Sequence, residues 1–270
     1  MKLKALSLTL ATTALVALTL PVIAQDQKGP NESLTTDAKP TGAPSTLALA
    51  HELYALGVAD GDALTVLTAA KLAASVDVTT GTAAALDPAT VDSGAAQTTR
   101  KKAAAAAPAA PAPVMKEGEP RPVAVTTFGT AGNDDASDNA PPDAAAMFAK
   151  ATELAGDDEA LKGLIADAEA ESSRGRIGGS ISYESRLPTG MYDVWEIPYF
   201  GNSYAELAVV GDGDANLDLT ITDENGNVIC YDVSPSDQVY CDWVPAWDGY
   251  FYVTVENKGG KRNTYYLLTN

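Results

Sequence analysis

From about Gly178 to the C-terminus the chain follows one rule: apolar and polar residues alternate in short runs separated by turn residues. Leu217, Leu219 and Ile221, spaced by Asp218 and Thr220, show it most plainly. A side-chain period of two puts the apolar members on one face of an extended strand, a pattern no helix can bury. Eight such runs can be read, at 180–187, 192–199, 204–210, 217–222, 227–232, 238–244, 250–256 and 264–268. Short strands recurring at about 8–12 residues predict an antiparallel β-sandwich over 177–270. This stretch also holds most of the aromatic residues, so it can build a core of its own.

Upstream the period changes. Leu49, Leu53 and Leu56 fall at helical spacing, Gly57 reads as a stop, and Asp60-Gly61-Asp62 turns the chain into a run carrying Leu64, Leu67 and Leu72. That predicts a helical hairpin over 45–76. A second hairpin is expected over 143–176, with Met147, Phe148 and Leu154, a Gly156-Asp157-Asp158 turn, then Leu161, Leu164, Ile165 and Ala168. Laid over each other, DGDALTVL (60–67) and DDEALKGL (157–164) keep acidic turns and leucines in step, which predicts a repeat-like four-helix unit. The alternative is two unrelated amphipathic pairs. Residues 77–142 between them, like 25–44, are rich in Ala, Pro, Thr and Gly and nearly without aromatics. Both read as disordered, 77–142 as an insertion, and its Arg100-Lys101-Lys102 cluster as a solvated charge run.

The first 24 residues carry Lys2 and Lys4, an apolar run from Leu6 to Leu20 and the small-residue ending Val22-Ile23-Ala24. They read as a secretory signal peptide cleaved after Ala24, which predicts a periplasmic or secreted protein. No other stretch nears the roughly 20 apolar residues that a membrane helix needs, so no membrane span is expected. The formal charge of −18 becomes more negative when two lysines leave with the signal. Such a charge repels phosphate backbones and excludes nucleic acid as a partner.

In an exported chain the only two cysteines, Cys230 and Cys241, predict a disulfide. If Pro235-Ser236 centres a tight turn, Cys230 falls opposite Cys241 and Val228 opposite Trp243 on one face of a hairpin, with Ile229, Tyr231 and Tyr240 on the other. The bridge is then a cross-strand one.

GDGDANLDLTITDENGN, residues 211–227, spaces its acids like a calcium loop. Its sixth position is Leu217 where an EF-hand requires glycine, and the alternation marks a half-buried strand between two turns. Those turns lie at strand ends, where Asp212, Asp214, Asp223 and Asp232 are candidate calcium ligands gathered at one edge of the sandwich.

The same stretch, followed by CDWVPAWDGYFYVTVENKG and the closing NTYYLLTN, resembles the bacterial pre-peptidase C-terminal domain. The resemblance covers about 177–270 and rests on the Asn216-Leu217-Asp218-Leu219 strand, the Asp223-Glu224-Asn225-Gly226 turn and the segment with Trp243, Pro245, Trp247 and Gly249. It implies a jelly-roll-like β-sandwich, non-catalytic in its family, some of whose members bind substrate polymers or calcium. A peptidase domain would normally stand upstream, and here only helical pairs do, so a peptidase role is not implied. The expected class is therefore an α+β multidomain protein, with N-terminal helical hairpins and a C-terminal jelly-roll-like antiparallel β-sandwich.

Catalytic sets are weak. The single histidine, His51, sits beside Glu52 in a helical run far from any nucleophile elbow, and VDSG (91–94) lies in low-complexity sequence. No enzyme activity is expected. The chain reads as an exported binding or scaffolding protein without a cofactor, save possible calcium, engaging a protein or cell-envelope polymer. The rival reading is a polysaccharide-binding accessory protein or an enzyme of the envelope, with Tyr199, Tyr204, Trp247 and Tyr250 as rings on which sugars stack.

Overall fold

The alternation is realised as two stacked sheets in a computed structural model that describes residues 29–34, 42–88, 91, 121–132, 139–172 and 177–270. The expected signal peptide (1–24), residues 35–41, the Arg100-Lys101-Lys102 cluster and all of VDSG except Val91 lie outside the described residues. The described chain forms α1 (Ala43–Asp60), α2 (Ala63–Ala74), β1 (Val76–Thr80), β2 (Ala84–Ala85), β3 (Ala124–Gly129), α3 (Ala144–Leu154) and α4 (Glu159–Glu171). Eight strands follow: β4 (Ile177–Leu187), β5 (Met191–Tyr199), β6 (Ala205–Val210), β7 (Leu217–Asp223), β8 (Val228–Asp232), β9 (Gln238–Trp243), β10 (Gly249–Asn257) and β11 (Asn263–Thr269). All eight fall on the alternating runs.

The first sheet has the order β1-β4-β11-β6-β9 and the second β2-β3-β5-β10-β7-β8. Between them lies a core of Trp195, Ile197, Leu207, Leu219, Phe251, Val253, Tyr265 and Leu267, among others. Tyr199 packs edge to face with Trp243 and with Phe251 within it, and Trp243 tilts against Phe251, with ring centroids 4.9–5.6 Å apart. Asp193 is buried there and accepts hydrogen bonds from the hydroxyls of Tyr265 (2.6 Å), Ser185 (2.7 Å) and Thr127 (2.6 Å), which satisfies a carboxylate that would otherwise be costly.

The helices form a third layer on the outer face of the first sheet. Leu47, Ala50, Val66, Leu67, Met147, Phe148 and Ile165 join one apolar cluster with Ala208, Val210 and Leu268 of β6 and β11. This explains why every residue of β6 is buried: Leu207 and Val209 face the sandwich core, Ala208 and Val210 the helices. Glu206 anchors α1 at its start, accepting from the Gly42 amide (2.9 Å), the Ser45 hydroxyl (3.0 Å) and the Tyr240 hydroxyl (3.1 Å). A carboxylate at a helix N-terminus satisfies free amides and opposes the helix dipole.

Several expectations are corrected. The 77–142 insertion is not structureless throughout: β1 pairs parallel with β4 and β3 antiparallel with β5, extending both sheets. Gly57 is not a helix stop, since α1 runs on to Asp60 and ends on Gly61 at φ 66°. A Cβ on Gly57 would come within 2.7 Å of Val66, so this glycine lets α2 approach α1 closely. Leu49, Leu56, Leu64 and Leu164 face solvent, and the inward face of α1 is Leu47, Ala50 and His51 instead. The proposed repeat aligns Asp62 with Glu159, whereas the residues that cap α2 and α4 are Asp62 and Asp158, accepting from Leu64 (2.9 Å) and Leu161 (3.0 Å). The two hairpins are thus one residue out of step.

Cys230 and Cys241 are bonded, with Cα atoms 6.1 Å apart. Their strands are not a hairpin, however. β8 is the edge of the second sheet beside β7, and β9 the edge of the first beside β6, so the bridge ties one sheet to the other. A bulge opposite Ile221 and Thr222 pairs them with Cys230 and Val228, skipping Ile229. That extra residue turns Val228 out to solvent, away from buried Trp243.

Candidate functional site

The loop leaving β6 turns at Gly211 and brings three acids together. Asp212 accepts from the side-chain amide of Asn263 (2.9 Å) and the backbone of Thr264 (3.2 Å) at the start of β11. Asp237, just before β9, accepts from the Gly213 amide and from Asn263 (3.5 Å). Asp214 lies beside them, with Lys261 3.5 Å from one of its oxygens. Burial, and then the neighbouring charges of Asp214 and Asp237, push the Asp212 carboxyl up to about 7. Asp237 is raised too, first by burial and then by Asp214.

The surroundings are rich in oxygen atoms without donors. Asp214 Oδ1, Asn216 Oδ1 and Asn263 Oδ1 are buried with no hydrogen-bond partner. Such orphans each cost free energy unless something positive meets them. At Gly211 a Cβ would lie 2.6 Å from both Asn263 Oδ1 and Asp237 Oδ2, so only glycine leaves the space between them open. Carboxylate and amide oxygens are the donors that calcium takes. Among the described residues no three His, Cys, Asp or Glu side chains converge closely enough to grip an ion as they stand.

Of the four acids expected from sequence, the structure brings only Asp212 and Asp214 together. Asp223 ends β7 and is saturated: its oxygens accept from the backbone amides of Asn31, Asn225 and Asn227 and from the Asn227 side chain, each at 2.9 Å. Asp232 lies on β8, accepting from Ser234 (3.0 Å) and Tyr240 (3.4 Å). Both are turn and strand-end residues. Asp237, missed in the sequence, carries the signal the others do: an acid in a turn immediately before a strand. Asn263 carries none, because an amide at a strand start is ordinary.

The aromatic set disperses as well. Tyr199 is buried, bonded to Thr269 at 2.7 Å, with Arg121 over its ring at 4.8 Å, so it offers no face to a sugar. Tyr204 bonds Asp242, Trp247 donates to Glu224 at 2.6 Å, and Tyr250 stands half-buried on β10. Trp247 also belongs to a latch formed by the buried Asn31, whose Oδ1 accepts from Ala246 (2.9 Å) and Trp247 (3.0 Å) and whose amide nitrogen donates to the Trp247 carbonyl (3.1 Å). A short N-terminal segment is thereby pinned against the end of the second sheet.

The fold is that of a β-sandwich with a helical layer on one sheet. No family model matches the chain, and no curated protein matches it. Among solved structures it is similar to the pre-peptidase C-terminal domain of a collagenase from Bacillus anthracis, at 13% identity and a TM-score of 0.21 over 34% of this chain and 76% of that one. No helix among the described residues is long and apolar enough to cross a membrane.

Proposed function

We propose that the chain is an exported, non-catalytic binding or scaffolding protein whose sandwich is of the pre-peptidase C-terminal kind and whose β6–β7 loop takes calcium. The observation that carries the reading is the oxygen-lined loop: two carboxylates raised by burial, unpartnered Asp214, Asn216 and Asn263 oxygens, and a glycine that keeps the space open. The ligands are Asp212, Asp214, Asp237 and Asn263, in place of the Asp212, Asp214, Asp223 and Asp232 set. The disulfide supports export, since such bonds persist in oxidising compartments.

Calcium at millimolar concentration should raise the melting temperature by mass action, and Asp212→Asn should abolish the rise while leaving the chelated protein no less stable. A melting curve that chelator leaves unchanged removes calcium from the proposal. Turnover in a broad hydrolase screen, lost on one carboxylate substitution, would overturn the non-catalytic reading.

A further inference from the structure

A cleft of about 540 Å³ lies between the helical layer and the β1 side of the first sheet. Its apolar lining includes Leu47, Phe148 and Leu268, and its rim carries Asp143, Glu169 and Glu184, all solvent-exposed. No lysine or arginine among the described residues lines it. Deep in the cleft is His51, on the buried face of α1 and only 6% exposed. Its imidazole has no hydrogen-bond or charge partner among the described residues. Its nitrogens are not among the side-chain atoms sealed from solvent without partners, so the polar edge of the ring opens onto the cleft it lines, where a ligand can reach it.

The chemistry of the missing partner follows from the lining. Desolvation lowers the His51 pKa to about 4, so at neutral pH the ring is uncharged and one nitrogen offers a lone pair. A donor is wanted there. The rim acids favour a positive charge, and their field reaches inward: the Tyr266 hydroxyl is raised by burial and then by Glu184 and Asp143. Among the described residues, Arg186 stands 3.7 Å from Glu184, both exposed, and compensates that rim acid in part. The apolar walls want a hydrocarbon body.

We infer that this cleft is a binding site for a small primary amine with an apolar body, whose ammonium head donates to the His51 imidazole beneath the Asp143, Glu169 and Glu184 rim. The assignment is independent of the calcium loop, which lies on other elements, so either can fail alone.

His51 is the only histidine in the chain, which gives the test a clean reporter. Hexylamine titrated into the full-length protein at pH 7 should move the imidazole resonances saturably, while hexanoate, with the same number of carbons and the opposite charge, leaves them in place. By calorimetry, Glu169→Gln and Glu184→Gln, both at exposed positions, should each weaken hexylamine by roughly two- to fivefold. His51→Leu should weaken it by about tenfold or more, the loss of a hydrogen bond to a charged group. No saturable shift with hexylamine, or an equal or larger one with hexanoate, overturns the assignment, as does full affinity in both glutamine variants.

Discussion

His51 shows what a single residue can and cannot announce. As the only histidine, on a helical run beside an acid, it gave no sign of facing inward, because α1 carries leucines on both sides and the small residues Ala43, Ala48 and Ala50 mark the packed face. Alanine is the best helix former and gives only a weak hydrophobic signal beside leucine, so helical spacing of leucines chose the wrong stripe. Burial of His51 has a measurable consequence. The unfolded ring takes up a proton near pH 6.5 and the folded one only at about 4, so protonation favours unfolding. Stability from this group is full above pH 6.5 and lost as pH falls toward 4, by about 3 kcal/mol in all. Asp212 acts in the opposite sense, its raised carboxyl making the fold gain stability as pH falls from about 7. The difference between wild type and His51→Leu therefore isolates the histidine: between pH 7 and pH 4.5 the urea midpoint of the wild type should fall relative to that of the variant, and parallel curves would show that the ring does not titrate late.

At the scale of elements, strands were legible where side chains alternate and illegible where backbone pairing alone holds them. The eight strands of 177–270 follow from period two. β1 and β3 do not, because Asp77 and Thr79-Thr80 face out and β3 is only half-buried, so low-complexity sequence serves as edge strand without a hydrophobic signature. The cysteine pair was legible by spacing, its geometry was not. Alternation says that Cys230 and Cys241 both turn inward but not that they belong to opposite sheets, and the bulge that displaces Val228 leaves no mark in composition. The β6–β7 loop was half legible for the same reason: the acidic turn at 211–214 located Asp212 and Asp214, while Asp237 and Asn263 are brought beside them by β9 and β11, later in the chain. Joining two edge strands across a separation of 11 residues should contribute about 3 kcal/mol in the chain-entropy model. Cys230→Ser with Cys241→Ser should lower the unfolding free energy by that amount, read from urea titration, and two freely alkylated thiols in the untreated wild type would show that the bridge does not form in the protein as made.

At the scale of the whole molecule, the boundary near residue 177 separates two kinds of pattern but not two folding units. The outer face of the first sheet, Ala208, Val210, Tyr240, Tyr266 and Leu268, is covered by the helices, and β1 and β3 pair with β4 and β5. A fragment of 177–270 would expose that face and two unpaired strand edges. Expressed alone it should self-associate, seen as a shift to large species in size-exclusion chromatography with light scattering, while the full chain does not. A monomeric, cooperatively folding fragment would show that the helical layer is an addition to a finished domain.

The three-layer arrangement also fixes an order in time. Helix α1 rests on β6, β9 and β11, all of which follow it in the chain by more than the length of the helical layer. Its seat therefore does not exist until β6, β9 and β11 have been made, and the pairing of β1 with β4 and of β3 with β5 likewise waits on later chain. Contacts so remote in sequence form slowly. Until those strands are made, the face of α1 that carries Leu47 and Ala50 has no sheet to rest on.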